Sequence, residues 1–174
     1  MGCYNLTMRR ITLLFILCCA SVSAQSPAPF ARLNFLMGTW NAKTTQQGSA
    51  AATVLGTYTF QTDLSGTVIT RTSSADSCKG PGSFDCQHRD LLMIYSDMGD
   101  PILHALYADN EGHVLHYDIT TPDANTAVFL ASTPGPKFRL TYHLEGGVMS
   151  GKFQIEAPGS TEFKSYLEWS GTKK

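Results

Sequence analysis

At Met37 the chain changes register from helix to strand. Phe30 to Met37 (FARLNFLM) places apolar residues at 30, 33, 36 and 37, a helical spacing that predicts one short helix. Beyond it, apolar and polar positions alternate with a period of two. Thr, Val, Tyr, Phe and Ile dominate, and the breaks fall at Gly, Pro, Asn and Asp clusters. The pattern predicts ten strands, at about 38–44, 53–62, 67–75, 89–96, 102–108, 113–119, 126–132, 137–144, 149–156 and 161–170. The turns between them are short, among them DLSG at 63–66, DNEG at 109–112, TPDAN at 121–125, TPGP at 133–136 and EGG at 145–147. Such turns join antiparallel neighbours, because a parallel pair needs a long crossover. A meander of this length buries its edges by closing on itself. The predicted fold is therefore all-β, a closed antiparallel up-and-down barrel of 8–10 strands with a short N-terminal helix.

Alternation also predicts which side chains face inward. In the last strand Phe163, Ser165, Leu167 and Trp169 share one face and Glu162, Lys164, Tyr166 and Glu168 the other, so the first set is expected inside. In the strand from Lys137 to Leu144, Phe138, Leu140 and Tyr142 are expected in, and Arg139, Thr141 and His143 out. If Ala108 opposes His113 across the hairpin at Asn110, then Leu106 opposes Leu115 and His104 opposes Tyr117. That register directs His104, Leu106 and Tyr117 into the barrel. Eight strands already enclose room for side chains or one small ligand, and ten enclose more.

The N-terminus bears on location. Met8-Arg9-Arg10 followed by the apolar run Ile11–Cys19 and by Val22-Ser23-Ala24 has the form of a signal peptide cut after Ala24. A lipid anchor on Cys18 or Cys19 competes with it, although Leu17 and Cys18, which precede them, are not the small residues such a cut prefers. The expected organisation is a cleaved leader at 1–24, a linker at 25–29 and one barrel domain at 30–174, secreted or periplasmic. No later apolar run reaches the roughly 18 residues a spanning helix needs, so the mature chain is expected to have no transmembrane segment. Without Arg9 and Arg10, 11 basic residues face 14 acidic ones, a net charge of −3 with no basic stripe, which argues against nucleic acid as a partner. Of five cysteines only Cys78 and Cys86 outlast the leader, and they bracket the turn-rich CKGPGSFDC. An oxidising compartment makes a loop-pinning disulfide the expectation; a zinc site is the alternative but lacks two further ligands.

Leu33-Asn34-Phe35-Leu36-Met37-Gly38-Thr39-Trp40 carries a resemblance. A short helix that delivers Gly-x-Trp to the start of the first strand resembles the opening of the calycin superfamily. The form Phe-Leu-x-Gly-x-Trp is similar to bacterial secreted lipocalin-like domains of unknown function and to the nitrobindin group of ten-stranded haem barrels. The resemblance implies that Trp40 closes one end of the barrel. The likeness to nitrobindin stops at Asn41-Ala42-Lys43-Thr44, where that group has a glycine-rich stretch before Tyr-Pro, and no histidine follows His143 to serve as its C-terminal haem ligand.

The search for reaction chemistry yields little. Gly-x-Ser-x-Gly is absent, no Gly-rich loop leads from a strand into a helix, and the carboxylates are scattered over turns and outward faces. His113 and His116 point to opposite faces of a strand, and His104 and His113 are roughly 13 Å apart at strand rise, too far to share an ion. His104 reads either as an interior imidazole satisfied by Tyr117 or as a polar contact, even an axial haem ligand, in an apolar pocket. The hydroxyls of Tyr58, Tyr117 and Tyr142 either reach a ligand or sit at the rim of a filled barrel. The expected function is non-catalytic binding of a small, mainly apolar ligand in the barrel by Trp40, Tyr58, His104, Leu106, Tyr117 and Tyr142, with no metal and no cofactor. A nitrobindin-type haem sensor or enzyme, and an interaction module with a filled barrel, are the alternatives.

Overall fold

The computed structural model describes residues 28–47, 53–79 and 87–174. The expected leader, the first residues of the linker and Cys86 lie outside these residues, as does the side chain of Cys78, so the proposed disulfide does too.

A 3-10 helix, Ala28–Leu36, is followed by ten strands: β1 Gly38–Gln47, β2 Thr53–Asp63, β3 Val68–Lys79, β4 Arg89–Ser96, β5 Leu103–Asp109, β6 Val114–Asp123, β7 Thr126–Ala131, β8 Lys137–Glu145, β9 Val148–Glu156 and β10 Phe163–Lys173. Each pairs antiparallel with its sequence neighbours and β10 returns to β1, which closes the barrel. The up-and-down barrel read from the alternation is the observed fold, and the helix begins two residues earlier than its apolar spacing marks. A second, three-residue 3-10 turn at Leu64–Gly66 is tied by Asp63, whose Oδ1 accepts from the Leu64 N–H at 2.7 Å. Among the described residues no helix is long and apolar enough to cross a membrane.

The meander gives the barrel two unlike ends. The starts of the odd-numbered strands and the finishes of the even-numbered ones gather at the first, where the 3-10 helix lies. Phe30, Leu33 and Leu36, three or six positions apart, are all buried there with Trp40, as an i, i+3 apolar stripe requires. Trp40 Nε1 donates to the Leu36 carbonyl at 2.8 Å, so the buried indole N–H is satisfied by the helix it packs against. Gly38, the first residue of β1, takes φ of +108°, a backbone setting that an L side chain rarely adopts. The opposite end is a mouth, where β3 finishes and β4 and β10 begin.

Two stretches of inward and outward assignment are corrected. Ala108 pairs with Val114, not His113, so Leu106 pairs with His116 and His104 with Asp118. The cause is Asp109, whose carboxylate accepts from the N–H groups of Glu111 and His113 and draws His113 into the turn. That one-residue slip turns His104 and Leu106 to the outer face and brings Ala105 and Tyr107 inside. In β10 the register shifts between Ser165 and Leu167. Upstream of this bulge the parity reverses, and Phe163 and Ser165 stand on the outer face, where the Arg139 guanidinium covers the Phe163 ring at 4.1 Å.

Candidate functional site

The interior is aromatic at its centre. Tyr58, Phe60, Phe129, Tyr142 and Trp169 lie ring against ring around Tyr142, with centroid separations of 5.4 to 6.0 Å. Tyr117 joins at Phe129, and Trp40 stacks beside Tyr58. Four residues singled out from the sequence, Trp40, Tyr58, Tyr117 and Tyr142, are thus buried inside the barrel. The three tyrosines are buried within the barrel rather than set at its rim. His104 is outside it, flanked by Asp118 at 3.0 Å and Asp100 at 3.2 Å. Leu106 stands beside it on the outer face.

Arg71, which the sequence reading passed over, is the polar centre of the interior and only 5% exposed. β3 carries it inward between Ile69 and Ser73, opposite Leu92 of β4. Its Nη2 bonds Asp90, an inward residue of β4, and its Nη1 donates to Tyr142 Oη at 2.7 Å. Burial works against the charge on Arg71, but Asp90 and Tyr142 more than restore it and hold the group protonated. Burial likewise opposes ionisation of Asp90, and the facing Arg71, with His88 and Ser73, keeps its carboxyl below the usual range.

His88 extends this network to the mouth. Its Nε2 is 3.5 Å from Asp90 and its Nδ1 3.0 Å from Glu111, and its pKa is pushed up to about 9, by Asp90 first and then by Glu111 against the cost of burial. Tyr107, inward on β5, donates to Asp109 at 3.0 Å beside it. A signal for the pair existed in the sequence: Arg71 and Asp90 both fall at inward parity on adjacent strands, where an unpaired charge is untenable.

Between this network and the mouth lies a cavity of about 140 Å³. Arg71, Asp90, His88 and Ser73 border one side, and Ala42, Val54, Tyr58, Leu167 and Trp169 border the other. Two atoms at its border stand out. Arg71 Nε and Tyr58 Oη are buried with no hydrogen-bond partner in bonding geometry, the Tyr58 hydroxyl lying against the Trp169 indole. Burial raises the Tyr58 hydroxyl above its ordinary range, so it stays protonated. A second, open groove of about 610 Å³ runs over the outer face of β7 to β10, where Lys152 pairs with Glu168 at 3.1 Å and Arg139 donates to Gln154 at 2.9 Å.

No family model matches the chain, and no curated protein matches it in sequence. The closed ten-stranded antiparallel barrel is compatible with a calycin-like fold.

Proposed function

We propose that the protein is an exported, non-catalytic binding protein that takes a small molecule into the mouth of its barrel. The observation that carries this reading is a cavity of about 140 Å³ inside the barrel, with Arg71, Asp90 and His88 on one side and apolar side chains on the other. The charged side orients a polar group of the bound molecule, and the apolar side holds its body. The apolar side of the cavity, with Val54, Leu167 and Trp169, suits the mainly apolar body expected from the sequence.

Titration argues for binding over catalysis. An acid or base working near neutrality needs a pKa close to 7. Around this cavity Asp90 is held low, His88 is raised to about 9, and Arg71 and Tyr58 are raised further from neutrality. A porphyrin is far larger than about 140 Å³, since even drug-sized ligands occupy pockets of about 300–1,000 Å³, so the haem alternative is not pursued. Export rests on the leader-like sequence at 1–24, and membership of the lipocalin-like calycins rests on Gly38-Thr39-Trp40 in its first-strand context.

Native mass spectrometry of protein purified from its host tests the reading. The expected spectrum contains a mature chain beginning at Gln25 with a small molecule in non-covalent complex. A ligand-free chain, together with a high-resolution structure in which ordered water alone fills the cavity, overturns it.

A further inference from the structure

We propose that the outer face of β4, β5 and β6 is a self-association surface, on which a second copy of this chain packs about a two-fold axis running across the strands.

The first observation is a break in the pattern that governs the rest of the barrel. A sheet with one solvated face turns apolar residues inward and polar ones outward. β8 to β10 obey this, and their outward row Thr141, Lys152, Glu168 is polar throughout. On β4, Leu92 and Ile94 are fully buried inward, yet the outward residues beside them are Leu91 and Met93. Register carries that apolar character across the neighbouring strands. Leu91 pairs with Ala108 and Ala108 with Val114, while Met93 pairs with Leu106. Leu91 is 46% and Val114 55% exposed. Five apolar side chains on three adjacent strands thus form one patch, and no charged residue interrupts it. Contiguous apolar surface of this kind marks a place where another molecule packs.

The charges at its two ends identify that molecule. Arg89 opens β4 at the mouth end, exposed, and its guanidinium has no hydrogen bond or ion pair among the described residues. The nearby Glu111 is turned to His88. At the far end Asp118 and Asp100 flank His104, two carboxylates against one imidazole. The patch is therefore basic at one end and acidic at the other. A two-fold axis across the strands lays β4 on the partner's β4 in the opposite direction, so each Arg89 meets the partner's Asp100 and Asp118. Both end contacts are attractive, and each surface is complementary to itself, as an isologous interface requires. About an axis along the strands, like ends would meet instead.

Area sets the strength. Three strands about 4.8 Å apart and seven residues at about 3.3 Å cover about 14 by 23 Å. Thr72, Tyr95 and Leu130 flank this footprint and widen it toward the roughly 500 Å² per partner at which specific association begins. The dimer is small, and a dissociation constant of about 10–100 µM is expected.

Sedimentation velocity of the protein purified from its host tests the proposal. The wild type is expected to show a monomer–dimer equilibrium that weakens about five-fold between about 0.05 and 0.5 M NaCl. Leu91→Lys with Val114→Lys, both at exposed positions, is expected to keep the wild-type circular dichroism and remain monomeric. Arg89→Glu is expected to be monomeric, and so is Asp118→Lys with Asp100→Asn, whose amide oxygen still accepts from the Ile102 N–H that Asp100 holds. Mixed one to one, these two charge variants are expected to pair, because one end contact is native and the other has its signs exchanged. A wild type that stays monomeric to about 1 mM overturns the proposal and leaves the face to a different partner. A dimer that survives Leu91→Lys with Val114→Lys, or charge variants that fail to associate when mixed, overturns it as well.

Discussion

Gly151 makes room for Trp169. The two are cross-strand partners on β9 and β10, and a Cβ built on Gly151 would lie 2.0 Å from Cε2 of the indole. The absent side chain lets the ring lie flat over β9 and meet Tyr142 edge-on at 5.7 Å. Gly151→Ala is therefore expected to expel the indole from its seat and destabilise the fold by about 1–3 kcal/mol. Urea denaturation and a red-shifted tryptophan emission would register it; an unshifted spectrum would contradict the packing.

Asp90 and Arg71 depend on one another. Asp90→Ala leaves a buried guanidinium with only Tyr142 for company, and is expected to cost about 3–5 kcal/mol. The double variant Arg71→Met, Asp90→Leu removes both charges and is expected to recover most of that loss. Equilibrium unfolding of Asp90→Ala and of the double variant makes the comparison, and a double variant no better than Asp90→Ala would refute the pairing.

His88 gives the protein an alkaline weakness. Its folded pKa of about 9 lies above the ordinary 6.5, so its contribution to stability is complete below 6.5 and fades as pH climbs to 9. Asp90 acts in the opposite sense: its lowered pKa adds stability above the ordinary carboxylate value of 3.8, and that is lost in acid. Thermal unfolding of wild type should thus fall in Tm between pH 6.5 and 9 more steeply than that of His88→Gln. Parallel curves would remove His88 from the account. The groups that face it are Asp90, Glu111 and the Tyr107 hydroxyl, the last at 3.5 Å.

His104 lies outside the barrel, and His104→Ala should retain any co-purifying small molecule as the wild type does. Native mass spectrometry of the variant beside the wild type checks this, and loss of the molecule from the variant alone would return His104 to the binding site.

Ten strands were legible because each has one wet face and one dry face, and that contrast is written in every second residue, although β1, β3, β6 and β10 run three or four residues beyond their expected ends. What was not legible came from single side chains acting on backbone. Asp109 captures two N–H groups and lengthens a turn by one residue, which sends His104 and Leu106 to the opposite face. The bulge before Leu167 does the same to Phe163 and Ser165. Alternation has no memory of such slips, since a strand read from either side looks alike. Arg71 and Asp90 are illegible for another reason: a lone charge in a sequence marks the surface, whereas here each makes the other's burial tolerable. Tyr58, Tyr117 and Tyr142 were placed inside correctly, but whether a buried hydroxyl finds a partner depends on atoms from distant strands.

The β1–β10 seam has a kinetic consequence. Trp40 pairs with Lys173, and the Lys174 N–H reaches the Thr39 carbonyl, so the cylinder is completed only when β10 joins β1. Until β10 arrives, β1 and β9 are exposed ladders, and the polypeptide is an open ribbon. Contacts so remote along the chain are slow to form. A chain whose closure waits on so remote a partner remains threadable for as long as β10 is unpaired.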